Sequence, residues 1–136
     1  MKYYLVLLAG LGLSMDAFSQ STLYQTSPQY PLDHQLELFD KQLFSAALYD
    51  NTRLLNEDLT NEQKKSAELH RAMSALQLES PDGPGLMKSY IYENGNHPSV
   101  TSAGLYLGDH FFYKRNYTEA LESYALVNPN NLGEEN

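Results

Sequence analysis

The chain has 136 residues, no cysteine, no tryptophan and 11 tyrosines, and its formal net charge is −8. That length suits one domain with a modest core, and the missing cysteines exclude disulfides, thiolate zinc sites and a lipid anchor on a cysteine. The acidic balance opposes phosphate backbones and anionic lipid, so it argues against nucleic acid and leaves membrane association only indirect.

Lys2 precedes an apolar run over residues 3–13, and Ala17-Phe18-Ser19 places small residues at the −3 and −1 positions of a cut after Ser19. Residues 1–19 therefore read as a secretory signal peptide, and the apolar run is short for a transmembrane span. An uncleaved membrane anchor is the alternative. Removing 1–19 takes away one charge of each sign, so the mature chain stays acidic. Residues 20–31 are polar, contain two prolines and read as a flexible leader.

A first helix is expected from Asp33, with Leu36, Phe39 and Leu43 on one face, and Phe44, Ala47, Leu48, Leu54 and Leu55 suggest a second. Together they make a unit over 32–57. A second unit, 60–95, opens at Thr60, with Gln63 three residues later as a capping box. Ala67, Leu69, Ala72, Met73 and Leu76 form the apolar side of its first helix. Ser80-Pro81 signals another start, as cap and first helical residue. Gly83, Pro84 and Gly85 weaken helix formation just after it, so the expected helix runs from Leu86 to Tyr92 with Leu86, Tyr90 and Ile91 inward. Gly95 is expected as a left-handed cap, and Pro98 stops the helix.

The third unit, 99–129, starts at Ser99 or Thr101. Leu107, Phe111 and Phe112 precede a break at Lys114 to Tyr117. Tyr117, Ala120, Leu121, Tyr124 and Val127 then fall on one helical face. Gly108 and Ala120 are small enough for two helices to cross closely, and Asn116 with Glu119 reads as a helix start. No stretch of the mature chain alternates apolar and polar residues for long, so the expected class is all-α.

An offset of 73 places Phe39 on Phe112, Lys41 on Lys114, Phe44 on Tyr117, Ala47 on Ala120 and Leu48 on Leu121. His34-Gln35 then stands where Leu107-Gly108 stands, and Asn51 where Tyr124 stands. The stretch Leu107-Gly108, Phe111, Ala120, Tyr124 and Val127 resembles a tetratricopeptide (TPR) unit, in which Phe111 takes the place of the usual Tyr. Gly104 departs from the usual Trp or large apolar residue, and Pro129 comes early, implying a shortened second helix. Seventy-three is about twice the family's ~34-residue period with a few residues to spare. The resemblance implies an α-solenoid of about three TPR-like hairpins, antiparallel helix pairs stacked in a right-handed superhelix, with a degenerate first unit. Residues 130–136 would begin a further unit or form a tail. Two readings stand: a fragment of a longer array, which is favoured, or a short protein of three units.

The chemistry-bearing residues are sparse. No histidine pair sits at the i, i+4 spacing of a metalloprotease, and no nucleophile elbow or phosphate-cradling glycine motif is present. Asp109-His110 and Glu68-Leu69-His70 bring acids beside histidines, but immediate neighbours on a helix do not face each other. A hydrolase using Asp109 and His110 is therefore a foil only. No catalytic residue, metal or cofactor is expected. Asn116-Tyr117-Thr118, a formal glycosylation acceptor, coincides with a helix turn.

The resemblance places Leu105, Asp109, Phe112 and Tyr113 along a concave groove. The 73-residue offset adds Leu32, Leu36, Phe39 and Asp40. The groove lacks the Lys, Arg and Asn set that clamps a terminal carboxylate in part of the family. The resemblance thus implies a non-catalytic scaffold or adaptor that binds a protein partner, peptide or helix, in its concave face. It looks like the envelope-associated TPR proteins, exported to the periplasm or outer membrane. The alternative is a structural N-terminal spacer of a larger envelope protein, with the binding or anchoring function downstream.

Overall fold

Among the described residues, apolar residues spaced for helices, separated by short polar breaks, make six α-helices. The computed structural model describes residues 30–127 as α1 (Tyr30–Asp40), α2 (Phe44–Leu54), α3 (Asn61–Gln77), α4 (Gly83–Asn94), α5 (Ser99–Tyr113) and α6 (Tyr117–Ala125). Among the described residues there is no strand, and the chain is all-α. The expected signal peptide, all but the end of the leader, and the tail over 130–136 lie outside the described residues.

The helix α1 begins at Tyr30, ahead of the expected Asp33. Pro31 thus falls in the first turn, where its missing N–H costs no helical hydrogen bond. Thr60 and Gln63 form the expected capping box: the Gln63 N–H donates to Thr60 Oγ1 at 3.3 Å, and the Thr60 N–H to Gln63 Oε1 at 2.9 Å.

Other starts differ from expectation. Asn116 makes no side-chain cap for α6; its carbonyl accepts from the Ala120 N–H at 3.0 Å instead. The helix α4 begins at Gly83, not Leu86, because Ser80, Pro81 and Asp82 form the turn, with Ser80 Oγ donating to Asp82 Oδ1. Gly83 does not weaken α4. It lets α4 cross the end of α3 so closely that a Cβ there would stand 3.0 Å from the Ala75 carbonyl carbon and the Leu76 nitrogen. Gly95 has φ 18°, short of the left-handed region expected of it.

Consecutive helices pack in pairs from α2 to α6, and α3 also touches α5. The core joins Ala72 and Leu76 of α3, Met87, Tyr90 and Ile91 of α4, Val100, Ala103, Leu107 and Phe111 of α5, and Ala120 of α6. Small residues at the crossings let backbones approach, and the larger ones fill the space between.

Three helix ends share one turn. Gln42, Glu79 and Arg115 have φ of 57°, 53° and 63°, and they stand 37 and then 36 residues apart. At each, the N–H of the left-handed residue bonds the carbonyl three residues back, and the next N–H reaches five residues back, at 2.9–3.0 Å. This six-to-one closure satisfies carbonyls that the helix end leaves over. Gln42 and Arg115 are separated by the 73 residues of the sequence offset.

Candidate functional site

On α5, positions 106, 109, 110 and 113 follow helical spacing and form one stripe. That stripe faces the end of α3 across an open cleft of about 310 Å³. Leu76, 3 % exposed, lies at its base. The two walls are tied together at both levels. Gln77 Nε2 donates to Tyr106 Oη, and Lys114 Nζ pairs with Glu79 Oε2 at 3.2 Å.

Three ionisable groups in or beside the cleft, Tyr106, His110 and Tyr124, are shifted from their ordinary values. Tyr124 Oη, from α6, donates to Asp109 Oδ1 at 2.6 Å. That bond to a carboxylate, with burial and the negative charge of Asp109 adding to it, pushes the Tyr124 phenol up to about 12. Burial and then the Lys114 charge hold His110 below its ordinary value of 6.5, against a smaller opposing pull from Glu79. His110 is thus neutral at pH 7. Burial raises the Tyr106 phenol, which the Gln77 contact partly offsets. Asp109 and His110 do not form an acid–base pair: the carboxylate is engaged by Tyr124, and the imidazole lies edge-on to Phe111 at 5.6 Å.

The groove candidates from sequence separate into three places. Asp109 and Tyr113 line the cleft, Tyr113 at its mouth and 82 % exposed. Leu105 and Phe112 are exposed elsewhere on α5, and Phe112 meets Tyr117 of α6 edge-on at 5.7 Å. Leu36, Phe39 and Asp40 belong to α1. Of these, Leu36 and Asp40 are exposed, whereas Phe39 is half-buried, edge-on to Phe44 at 5.3 Å and to His70 at 5.9 Å. Phe39 therefore joins α1 to α2 and α3. The side chain of Leu32 lies outside the described residues. Tyr106, His110, Gln77 and Lys114 were missed as cleft residues. Tyr106, Asp109 and Tyr113 at i, i+3 and i+7 make a stripe legible in the sequence, one step round the helix from the expected Leu105 and Phe112.

A second polar cluster joins three helices. Tyr90 Oη and Ser99 Oγ stand 2.5 Å apart, Ser99 Oγ and His97 Nδ1 2.6 Å apart, and His97 Nε2 lies 3.3 Å from Glu62 Oε2. This resembles a nucleophile–base–acid chain, but it has no oxyanion donors beside Ser99. The N–H groups of Ser99, Val100 and Thr101 are turned to His97 Nδ1, the His97 carbonyl and the Pro98 carbonyl. The cluster ties the start of α5 to α3 and α4.

Among the described residues no group of three or more His, Cys, Asp or Glu is placed to hold a metal ion, and no helix is long and apolar enough to cross a membrane. No family model matches the chain, and comparison with curated proteins and with solved structures also finds no significant match.

Proposed function

We propose that the chain is a non-catalytic scaffold of the bacterial cell envelope, a TPR-like α-solenoid that holds a peptide or helix of a protein partner against α5. The observation that carries this reading is the division of α5 into two faces. Leu107 and Phe111 are buried in the core, while Tyr106, Asp109 and Tyr113 open onto the cleft beside α3. Exposed tyrosines on a concave surface are common protein-contact residues, since the ring supplies area at low entropic cost.

Two features support the solenoid. The three like turns recur at a nearly constant spacing. Each helix from α2 to α6 touches the next, and the first helices of successive pairs, α3 and α5, touch as well. This is the neighbour pattern of stacked repeats. Export rests on the amino-terminal run at residues 3–13 and the small residues before position 20.

The test is capture from solubilised envelopes with purified residues 20–136, beside the variant Tyr113→Ala. Tyr113 is 82 % exposed, so the variant should keep its helicity and melt within a few degrees of the parent. A partner held by the parent and lost by the variant, then shown to bind when purified, supports the scaffold. A much lower melting point in the variant would show this side chain to be core and remove the groove.

A further inference from the structure

Resting on the reading of α5 as a docking face, we infer that the α3–α5 cleft takes a cationic side chain, an arginine or lysine of an extended peptide, between Tyr113 and the carboxylates of Asp109 and Glu79. The cleft holds two carboxylates and one ammonium group, Lys114, which is already paired with Glu79. With His110 kept neutral by burial and by Lys114, the cleft carries a net negative charge at pH 7. Tyr124 engages one acceptor position of Asp109, and a carboxylate offers about four. Tyr124 thereby fixes the direction of the Asp109 carboxylate without neutralising it.

Aromatic rings complete the match. Tyr113 stands at the mouth and Tyr106 on the wall, its hydroxyl joined to Gln77. A cation over a tyrosine face is attracted by the ring quadrupole as well as by the acids behind it. A peptide carboxylate would instead meet Asp109 and Glu79 with only a neutralised lysine to attract it. The overall charge of −8 adds attraction for a basic segment over a longer range.

The experiment titrates the ¹⁵N-labelled chain with a capped Ala-Arg-Ala peptide and, separately, with the isosteric citrulline peptide, following amide shifts. The expected result is saturable shifts confined to Gln77, Tyr106, Asp109, Tyr113 and their neighbours, absent with citrulline. Tyr113→Leu should weaken binding. Lys114→Met should strengthen it by about twofold to fivefold, the size of one exposed charge contact. A merely structural role for Lys114 would not produce that gain. Three outcomes overturn the inference: no shifts, equal shifts with citrulline, or unsaturable shifts spread over the acidic surface. The titration needs no natural partner. A captured partner together with a silent titration would remove the cation subsite and leave the scaffold standing, and localised arginine binding without a captured partner would do the reverse.

Discussion

The ring of Tyr124 lies directly over Gly108. A Cβ at residue 108 would fall under 3.0 Å from three of the ring carbons, nearer than real Cβ atoms approach, while Tyr124 Oη is held by Asp109 at 2.6 Å. The hydroxyl anchor limits how far the ring can retreat. Gly108→Ala gains about 1 kcal/mol of helix propensity but overpacks the crossing, at a cost of about 1–3 kcal/mol. The net expectation is a destabilised protein. Chemical denaturation of Gly108→Ala, Tyr124→Ala and the double variant checks this. The double variant should be more stable than the sum of the two single effects allows, because Ala at 124 removes the clash.

Arg115 occupies a left-handed conformation, φ 63°, at the turn between α5 and α6. A side chain there costs about 1–2 kcal/mol relative to the right-handed region, a strain that glycine avoids. Glycine gives part of this back through the greater freedom of the unfolded chain. Arg115→Gly should therefore raise stability by about 0.5–1 kcal/mol, read as a higher denaturation midpoint with an unchanged slope. A lower midpoint would mean that the turn is not left-handed at this position.

Thr60 closes α3 through its reciprocal contacts with Gln63. Thr60→Ala removes the oxygen that accepts from the Gln63 N–H and should cost about 1 kcal/mol. Thr60→Ser keeps that oxygen and should cost little. Equal losses in the two variants would show that the threonine methyl, not the cap, supplies the stability.

Stability should fall at both ends of the pH scale for separable reasons. His110 binds its proton less readily in the folded chain than in the unfolded one. Its contribution is complete above 6.5 and is lost as pH falls through the lowered native value. Tyr124 holds its proton more tightly when folded, up to about 12. Its contribution is complete below about 10 and is lost as pH rises through the native value. Melting curves across pH should show a shallower acid limb for His110→Gln and a shallower alkaline limb for Tyr124→Phe. Unchanged limbs in both variants would remove these two groups as the cause.

Much of the third pair of helices was legible because the informative contacts are local. Leu107, Gly108, Phe111 and Ala120 are buried where their spacing put them, and Tyr124 is half-buried over Gly108. Gly104, a departure from the tetratricopeptide pattern, proves to face α6: a Cβ there would lie 3.1 Å from Val127 Cγ2 and 3.3 Å from the Ser123 carbonyl oxygen. A larger residue has no room because the helices are already in contact. In the first pair, Gln35 and Asn51 stand at the offset positions of Gly108 and Tyr124 and are likewise buried, 1 % and 0 % exposed. The positions persist although their chemistry has changed from a ring on a glycine to two amides.

Leu43, Tyr117 and Leu121, expected on apolar helix faces, are exposed. The all-helical class, the capping box at Thr60 and the core positions Leu76, Leu107, Phe111 and Ala120 were readable from the order of residues. They depend on hydrogen bonds and side-chain spacing within a few residues, which the local chain carries. The left-handed turns at Gln42, Glu79 and Arg115 were not readable, because no glycine advertises them. Packing decided that α4 could start on Gly83, since that depends on how near the end of α3 lies. The cleft arose in the same way. The rotation of α5 about its axis, set by Leu107 and Phe111 entering the core, turned Tyr106 and His110 toward α3 and left Phe112 beside Tyr117.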